Sequence, residues 1–492
     1  MSSIPDFVSQ CEAEQLHLSG AIQSCGVLLH VDAAGSLSHV SANATEVLGL
    51  DVRTLLAQPV SRFDWLQQAI DQLGMDEGAS MICPGTADNE GSLMDLRLVR
   101  CADGGAHAEI QRAVMGEPLP DFHALQRALF RIPEDEAALE AYCVSLVDSI
   151  VRLTGYHRAM IYRFRDDWSG EVVAEKTSPE LGSYLGLRFP ASDIPAIARQ
   201  LYLLNPWRHI PDTRAASVPL VAAQDAPLDL TYTDLRSVSP VHLIYLANMG
   251  VGASFSLPIR VANRLWGLVA CHHLEPRALS LSCRQACANL TSSFSLGLSS
   301  HLASRRIQKI DSLERRVDRI LEYVSLHPDP LDGIEANGSI LMEAMGAEGL
   351  ATIIGTDVIL LGSTPSLDEM EMIDAWFVGQ WSENLFASDH LGELFSDNPL
   401  LLSVAAGMLA VKTSSPRSGW VRFYWFRPEE AYEVAWAGNP DKPTVENAGA
   451  VMLSPRRSFE KWVEMRTGYS RPWTNEDRMT AAKFRTALLR WL

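Results

Sequence analysis

The chain has 492 residues, enough for about three domains at roughly 150 residues each. With 47% hydrophobic, 21% charged and 8% aromatic residues it has a globular composition, which excludes disordered, collagen-like and small disulfide-stapled classes. A formal charge of −19, from 60 acidic and 41 basic residues, repels phosphate backbones and anionic lipid and argues against nucleic-acid and membrane-surface partners.

The amino terminus, MSSIPDFVSQCEAEQ, lacks the basic and apolar regions of a signal peptide, and the longest nearly uncharged apolar run, 400–411, is far shorter than the roughly 20 residues of a membrane span. Eight cysteines, with no CxxC pair, read as reduced thiols, so the expected location is the cytoplasm.

The first ~115 residues alternate short strand-like runs with turn signals, such as 27–31, the turn Asp32-Ala33-Ala34-Gly35 and 37–40. Helical patterns follow at 123–130 and 134–154, then strand-like segments at 159–164 and 170–175 and a proline-rich irregular stretch over 189–227. A hairpin is predicted from 254–259 and 265–272 around Ala262-Asn263. From Arg284 to Leu326 there is no proline, and Ile310, Leu313, Val317, Ile320 and Val324 fall at 3,4,3,4 spacing, which predicts one long amphipathic helix. Its stripe suits either packing on its own chain or a parallel dimer seam. Strands are expected at 351–361 and 419–426, and 436–458 reads as a turn-rich protruding arm, neither helical nor strongly strand-like. The expected fold class is α+β: three α/β modules with central antiparallel sheets, joined by long helices.

No nucleophile elbow, P-loop, HExxH, dinucleotide or kinase motif is present. In FPASDIPAIARQLY, two prolines bracket Asp193 just before a helical pattern; the ordinary reading is that Ser192 or Asp193 caps that helix. His242 and Tyr245 lie three apart, and Ser254, Ser256 and His272 sit in strands where alternate residues share a face. With Arg208 and Arg236 they form an inventory suited to a ligand carrying carboxylates and ring nitrogens, though each alone could be a surface charge or a core histidine. Cys271, His272 and His273 are consecutive in a strand and point to opposite faces, so no metal site is expected there.

Cys11-Glu12, HLSGAIQSCG at 17–26, PASDIP at 190–195, SPVHLIYLANMGVGAS from 239, WGLVACHH from 266 and PRRSF at 455–459 occur in one register. Together they resemble a bacteriophytochrome over essentially the whole chain. The resemblance implies an N-terminal segment and PAS domain over 1–118, a chromophore-binding GAF domain over 119–305, and a PHY domain over 306–492 with a tongue at about 436–459. A figure-of-eight knot threaded by Ile22 is implied as well.

The implied cofactor is biliverdin IXα, a linear tetrapyrrole with two propionates, bound as a thioether to Cys11. Cys25 departs from the family, which usually has a histidine or aromatic residue before this glycine and proline at the position of Ser24; it is a second candidate thiol. Arg208 and Arg236 match the propionate clamp, helped by Tyr202, Ser254 and Ser256. Asp193 and His242 match the groups at the pyrrole nitrogens, with Ile194, Pro195 and Ser239 carried by the same motifs. Tyr162, Phe189 and Tyr245 match the wall around the D ring, and His272 the donor to its carbonyl. Asp193, Arg456, Ser458 and Trp436 match the signalling contacts of the tongue. Leu187 stands where some relatives with a far-red-absorbing resting state have glutamine, which favours a red-absorbing resting state.

The activity implied is red/far-red light sensing by D-ring isomerisation and tongue refolding, with no catalysis in the chain. A homodimer and a C-terminal histidine kinase or other effector, expected beyond residue 492, are the implied partners. Two other readings use the same pocket: a light-independent GAF-type sensor of a cyclic nucleotide-like molecule, and a bilin-modifying enzyme, for which no motif-borne acid–base pair is present.

Overall fold

The computed structural model describes residues 14–49, 51–87, 93–114, 121–224, 226–395, 401–415, 419–440, 444–447, 450–453 and 458–491. Cys11 and Arg456 lie outside the described residues. The chain divides into two compact units, Met1–His301 with Ala435–Trp462, and Leu302–Val434 with Val463–Leu492.

Among the described residues the first unit contains two large sheets and one two-stranded sheet. One has the spatial order Ala21–Gln23, Ser217–Ala222, Leu37–Ser41, Val27–Val31, Ala106–Arg112, Leu93–Arg100, Ser80–Ala87, every pairing antiparallel. The expected 32–35 turn closes as its residue types require: Asp32 Oδ1 accepts from the N–H groups of Ala34 and Ser36, and Gly35 takes φ +80°. Val27, Leu29, Val31, Leu96, Leu98, Ala108 and Ile110 form the core with Leu66 of helix Asp64–Gln72.

One strand of this sheet corrects the sequence reading. Ser217–Ala222 lies inside the stretch expected to be irregular, yet it joins the leader strand Ala21–Gln23 to Leu37–Ser41. Its proline is tolerated because Pro219 contributes only its carbonyl, which accepts from Ala42 N–H. The leader is held from a second side too: Gln23 N–H donates to Leu235 O, and Ser237 N–H donates to Ala21 O. Ile22 is fully buried among Leu28, Leu228, Leu230 and Leu235.

Six neighbouring strands of the second sheet run Arg208–Ile210, Ala253–Val261, Arg264–His273, Arg158–Phe164, Gly170–Thr177, Arg188–Phe189, each of these pairings antiparallel. Helix Glu136–Thr154 starts where Asp135 accepts from Ala138 N–H and stops at Gly155, whose φ of +64° suits glycine. The helix expected over 284–326 spans Leu281–Ser325, and Phe294 on it stacks on Tyr142 with centroids 4.7 Å apart.

The 436–458 arm also differs from the expectation. Trp436 pairs in parallel with Arg188, and Thr444–Asn447 pairs antiparallel with Ala450–Leu453. Polar and turn residues hide this pairing from a hydrophobic-period reading.

In the second unit the sheet order is Asp357–Gly362, Gly349–Ile354, Gly419–Arg427, Gly407–Ser415, Leu385–Ser388. The run expected as one strand at 351–361 is instead a hairpin, turned at Gly355 with φ +60°. Strand Gly419–Arg427 is buried on both faces: Phe423 and Trp425 meet Val317, Ile320, Val324 and Phe484, while Tyr424 and Phe426 meet Met370, Ile373 and Phe377. Val317, Ile320 and Val324 of the 3,4 stripe of the long helix are thus used on their own chain.

Candidate functional site

A cavity lies over one face of the second sheet. Its floor follows the period of two: Met160 and Tyr162, Ser254 and Ser256, then Leu268, Ala270 and His272 come from three adjacent strands. Helices Ala196–Leu204 and Pro240–Asn248 supply Tyr202, His242 and Tyr245, and Phe189, Ile194, Pro195, Arg208, Arg236 and Ser239 complete the wall. Asp193 also lines the cavity and is not a helix cap: Pro195 holds the cap position, leaving Asp193 Oδ2 to accept from Tyr245 OH at 3.0 Å. All the binding residues suggested by the resemblance, apart from Cys11, therefore surround one space.

Buried charge shapes this space. Arg208 donates to the carbonyls of Asp234, Arg236 and Ser237, and Arg236 to those of Leu230 and Thr231. Among the described residues neither guanidinium is within salt-bridge distance of a carboxylate. Burial, then the charge of Arg208, pushes Arg236 down to about 9. Two cations, Arg236 buried and Arg208 partly buried, held by neutral carbonyls fit a ligand with two carboxylates, since an anion would offset their lost hydration. Tyr202 OH and Ser256 Oγ, 2.7 Å apart, add hydroxyls beside them.

At the other end, burial pushes His272 down to about 3 and His242 down to about 4, the latter helped by Arg208. Both imidazoles are neutral at pH 7. His272 Nδ1 is buried without a hydrogen bond among the described residues, an orphaned polar atom that a carbonyl or N–H of a ligand would satisfy. His242 stacks near-parallel on Tyr245, and Tyr162 and Phe189 lie 5.8 Å apart, so the remaining wall is aromatic. Tyr162 is accommodated by Gly170, where a Cβ would fall 1.6 Å from the ring. The donor set and apolar walls fit a long conjugated dianion with ring nitrogens.

Several functional residues escaped the sequence reading. Glu14 and Leu16 of the leader line the cavity, and Glu14 accepts from Ser239 Oγ at 2.9 Å. Ser458 is exposed and Trp436 buried, and of the two described residues of PRRSF it is Phe459 that reaches the cavity wall, edge-on to Tyr245 at 5.1 Å and packed with Tyr162 and Phe189. Gly438, φ +81°, lets the two feet of the arm close: its N–H donates to Glu460 O, and a Cβ there would meet Ser458 O at 2.0 Å. Cys25 faces a different cavity with Gln111, His209 and Arg284, and burial followed by the Asp234 charge pushes its thiol up to about 11.

Behind the arginine clamp stands Asp234. It accepts from Trp207 Nε1 at 2.9 Å, His209 N–H at 3.0 Å and Arg284 Nη1 at 2.7 Å, and its own N–H donates to Glu109, itself paired with Arg97. Burial alone would raise this carboxyl; Arg284, His209, Arg208 and Arg97 outweigh it and hold it below its ordinary value.

Comparison with known proteins gives three family models in chain order: PAS fold over 11–112, GAF domain over 138–294 and phytochrome region over 313–492. Cyanobacterial phytochrome A of a Nostoc species is 32% identical over 98% of this chain and 65% of its own length. The bacteriophytochrome of Pseudomonas aeruginosa is 32% identical over 99% of this chain and 67% of its own. The chain thus spans about two thirds of the length of these curated relatives. Among solved structures, a bacteriophytochrome of the photosynthetic bacterium R. palustris superposes with a TM-score of 0.84 at 30% identity, covering 98% of this chain and 99% of that one. The Stigmatella aurantiaca phytochrome photosensory core module gives 0.83 at 31%, covering 98% and 97%. Similar over nearly its whole length in sequence and fold to these proteins, the chain belongs to the phytochrome family.

Proposed function

We propose that the chain is a red/far-red light sensor that holds biliverdin IXα as a thioether to Cys11 and passes a conformational signal through its tongue to an output module. The observation that carries this reading is the pair of arginines, Arg236 buried and Arg208 partly buried, that have no carboxylate partner among the described residues and face the same cavity as His272 Nδ1, a buried atom without a hydrogen bond among those residues. When bound, the bilin supplies the photochemistry, isomerisation about its C15=C16 bond. Arg208 and Arg236 fix the carboxylates, while Tyr162, Phe189 and Tyr245 leave an apolar space in which a ring can turn. Tyr245 couples this space to Asp193 by its hydroxyl and to Phe459 by its ring. Movement of Tyr245 is therefore felt at the foot of the tongue. Pairing of Asp193 with Arg456, and a change of the tongue between hairpin and helix, belong to the proposal; a two-packing element of this size needs only a few kcal/mol of bias.

The domain limits 1–118, 119–305 and 306–492, the cytoplasmic location and the figure-of-eight passage of Ile22 are part of the same reading. The knot is supported by hydrogen bonds to the leader from both 217–219 and 235–237. A homodimer is supported by Val144 and Leu296, 52% and 74% exposed on two helices packed together through Tyr142 and Phe294. The output partner proposed is a histidine kinase.

Mixing the purified apoprotein with biliverdin should give a red-absorbing band in darkness that converts to a far-red form under red light, with zinc-induced fluorescence after denaturing electrophoresis. A colourless product overturns the proposal in favour of a light-independent small-molecule sensor. Asp193→Leu and His272→Ala should keep pigment but fail to complete photoconversion; difference spectra matching the unsubstituted protein would refute the roles given to them.

A further inference from the structure

We propose that His30, His107 and Cys101, on the first sheet and away from the pigment cavity, form a binding site for one divalent transition-metal ion of the zinc class. His30 and His107 are directly paired across strands Val27–Val31 and Ala106–Arg112, while Cys101 follows strand Leu93–Arg100 in a turn closed by Gly104 N–H to Cys101 O. One ligand atom from each lies within 4.8 Å of the others, and all three residues are buried.

The hydrogen bonding sets the site apart from an ordinary pair of core histidines. His107 Nε2 lies 2.9 Å from the carbonyl of Asp229, and His30 Nε2 lies 3.2 Å from Asp103 Oδ2. A carbonyl and a carboxylate only accept, so both Nε2 atoms carry hydrogen. Both Nδ1 atoms then present lone pairs, and they face each other at 3.2 Å. Two buried lone pairs at that distance repel unless a cation lies between them.

A metal ion meets the geometry instead. Tetrahedral bonds of about 2.05 Å place two nitrogens about 3.3 Å apart. Outer nitrogens held by a carboxylate and a backbone carbonyl are the usual support of metal-bound histidines. Asp103 is itself fixed, since its Oδ1 accepts from Gly105 N–H at 2.8 Å. The sulfur selects zinc-class ions over magnesium or calcium. On binding, the Cys101 S–H bond breaks, the sulfur–metal bond forms and the proton passes to solvent.

The test uses the full pigment-bearing chain with Zn2+ as the probe. One equivalent should survive gel filtration, and zinc-edge X-ray absorption should show nitrogen and one sulfur at about 2.3 Å. Cys101→Ser should remove the sulfur signal. Asp103 has a side chain 55% exposed, so Asp103→Asn should fold; by giving one N–H a donor in place of an acceptor it should weaken zinc about 10- to 100-fold in competition with a chromophoric chelator. Zinc retained equally by Asp103→Asn and His107→Asn, or no zinc retained by the unsubstituted protein, overturns the site. A melting temperature that responds to pH but not to zinc assigns the contact to a shared proton and overturns it too.

Discussion

Serine in place of Cys11 is expected to abolish the covalent link to biliverdin while leaving reversible binding. The rest of the anchorage is independent of the thiol: Arg208, Arg236, Tyr202, Ser256 and His272 all line the cavity. Glu14 is already inside it, bonded to Ser239, and three residues of chain reach at most about 10 Å, so the leader can bring residue 11 to a ligand there. Cys25 offers a poor substitute, turned to another cavity and held protonated by burial. Denaturing electrophoresis with zinc fluorescence should show a labelled band for the unsubstituted protein and none for Cys11→Ser. A label that survives in the variant would transfer the attachment to Cys25.

Asp234→Ala should be the most damaging single substitution behind the site, costing about 3–5 kcal/mol, because it leaves the buried Arg284 without its carboxylate and strips acceptors from Trp207 and the His209 backbone. Chemical denaturation reads this as a lower midpoint with unchanged slope. The pH dependence has a definite sign. The folded-state carboxyl titrates below its unfolded value, so its contribution is complete above about pH 4 and lost as pH falls through the lower folded value. The gap between the unsubstituted protein and Asp234→Asn should therefore hold steady near neutrality and narrow only in strong acid. A gap that widens on acidification would contradict the assignment of Asp234 as the ionised partner of Arg284.

Much of the pocket was legible because its residues sit in short motifs whose local structure is dictated by sequence. The alternation of Ser254 and Ser256, and of Ala270 and His272, puts these side chains on one face once the hairpin forms, and the hairpin is signalled by its turn. The i, i+3 spacing of His242 and Tyr245 does the same on a helix begun by Pro240. Identification of the ligand came from motif resemblance, since residue chemistry alone asked only for carboxylates and ring nitrogens. Asp234 was passed over because its meaning lies in partners at 97, 109, 207 and 284, and no local pattern joins them. His30, His107 and Cys101 have no metal-ligand spacing along the chain; strand register alone unites them. The 349–362 hairpin read as one strand because its apolar run is nearly continuous, and a lone Gly355 is a weak signal of reversal. Pro219 hid a strand for the opposite reason: a residue that cannot donate was taken to interrupt pairing, when at that position only its acceptor is used.

The traffic of strands between the first two modules has a consequence for heredity. Residues 217–222 complete a sheet whose other members lie before residue 113, while the leader that precedes that sheet helps line the cavity of the next. Neither can be excised by a single cut, or traded by gene fusion, without leaving the other with a raw edge. Recombination that shuffles sensors and outputs would have to spare this pair, so the pigment holder and its amino-terminal companion should travel through evolution as one cassette.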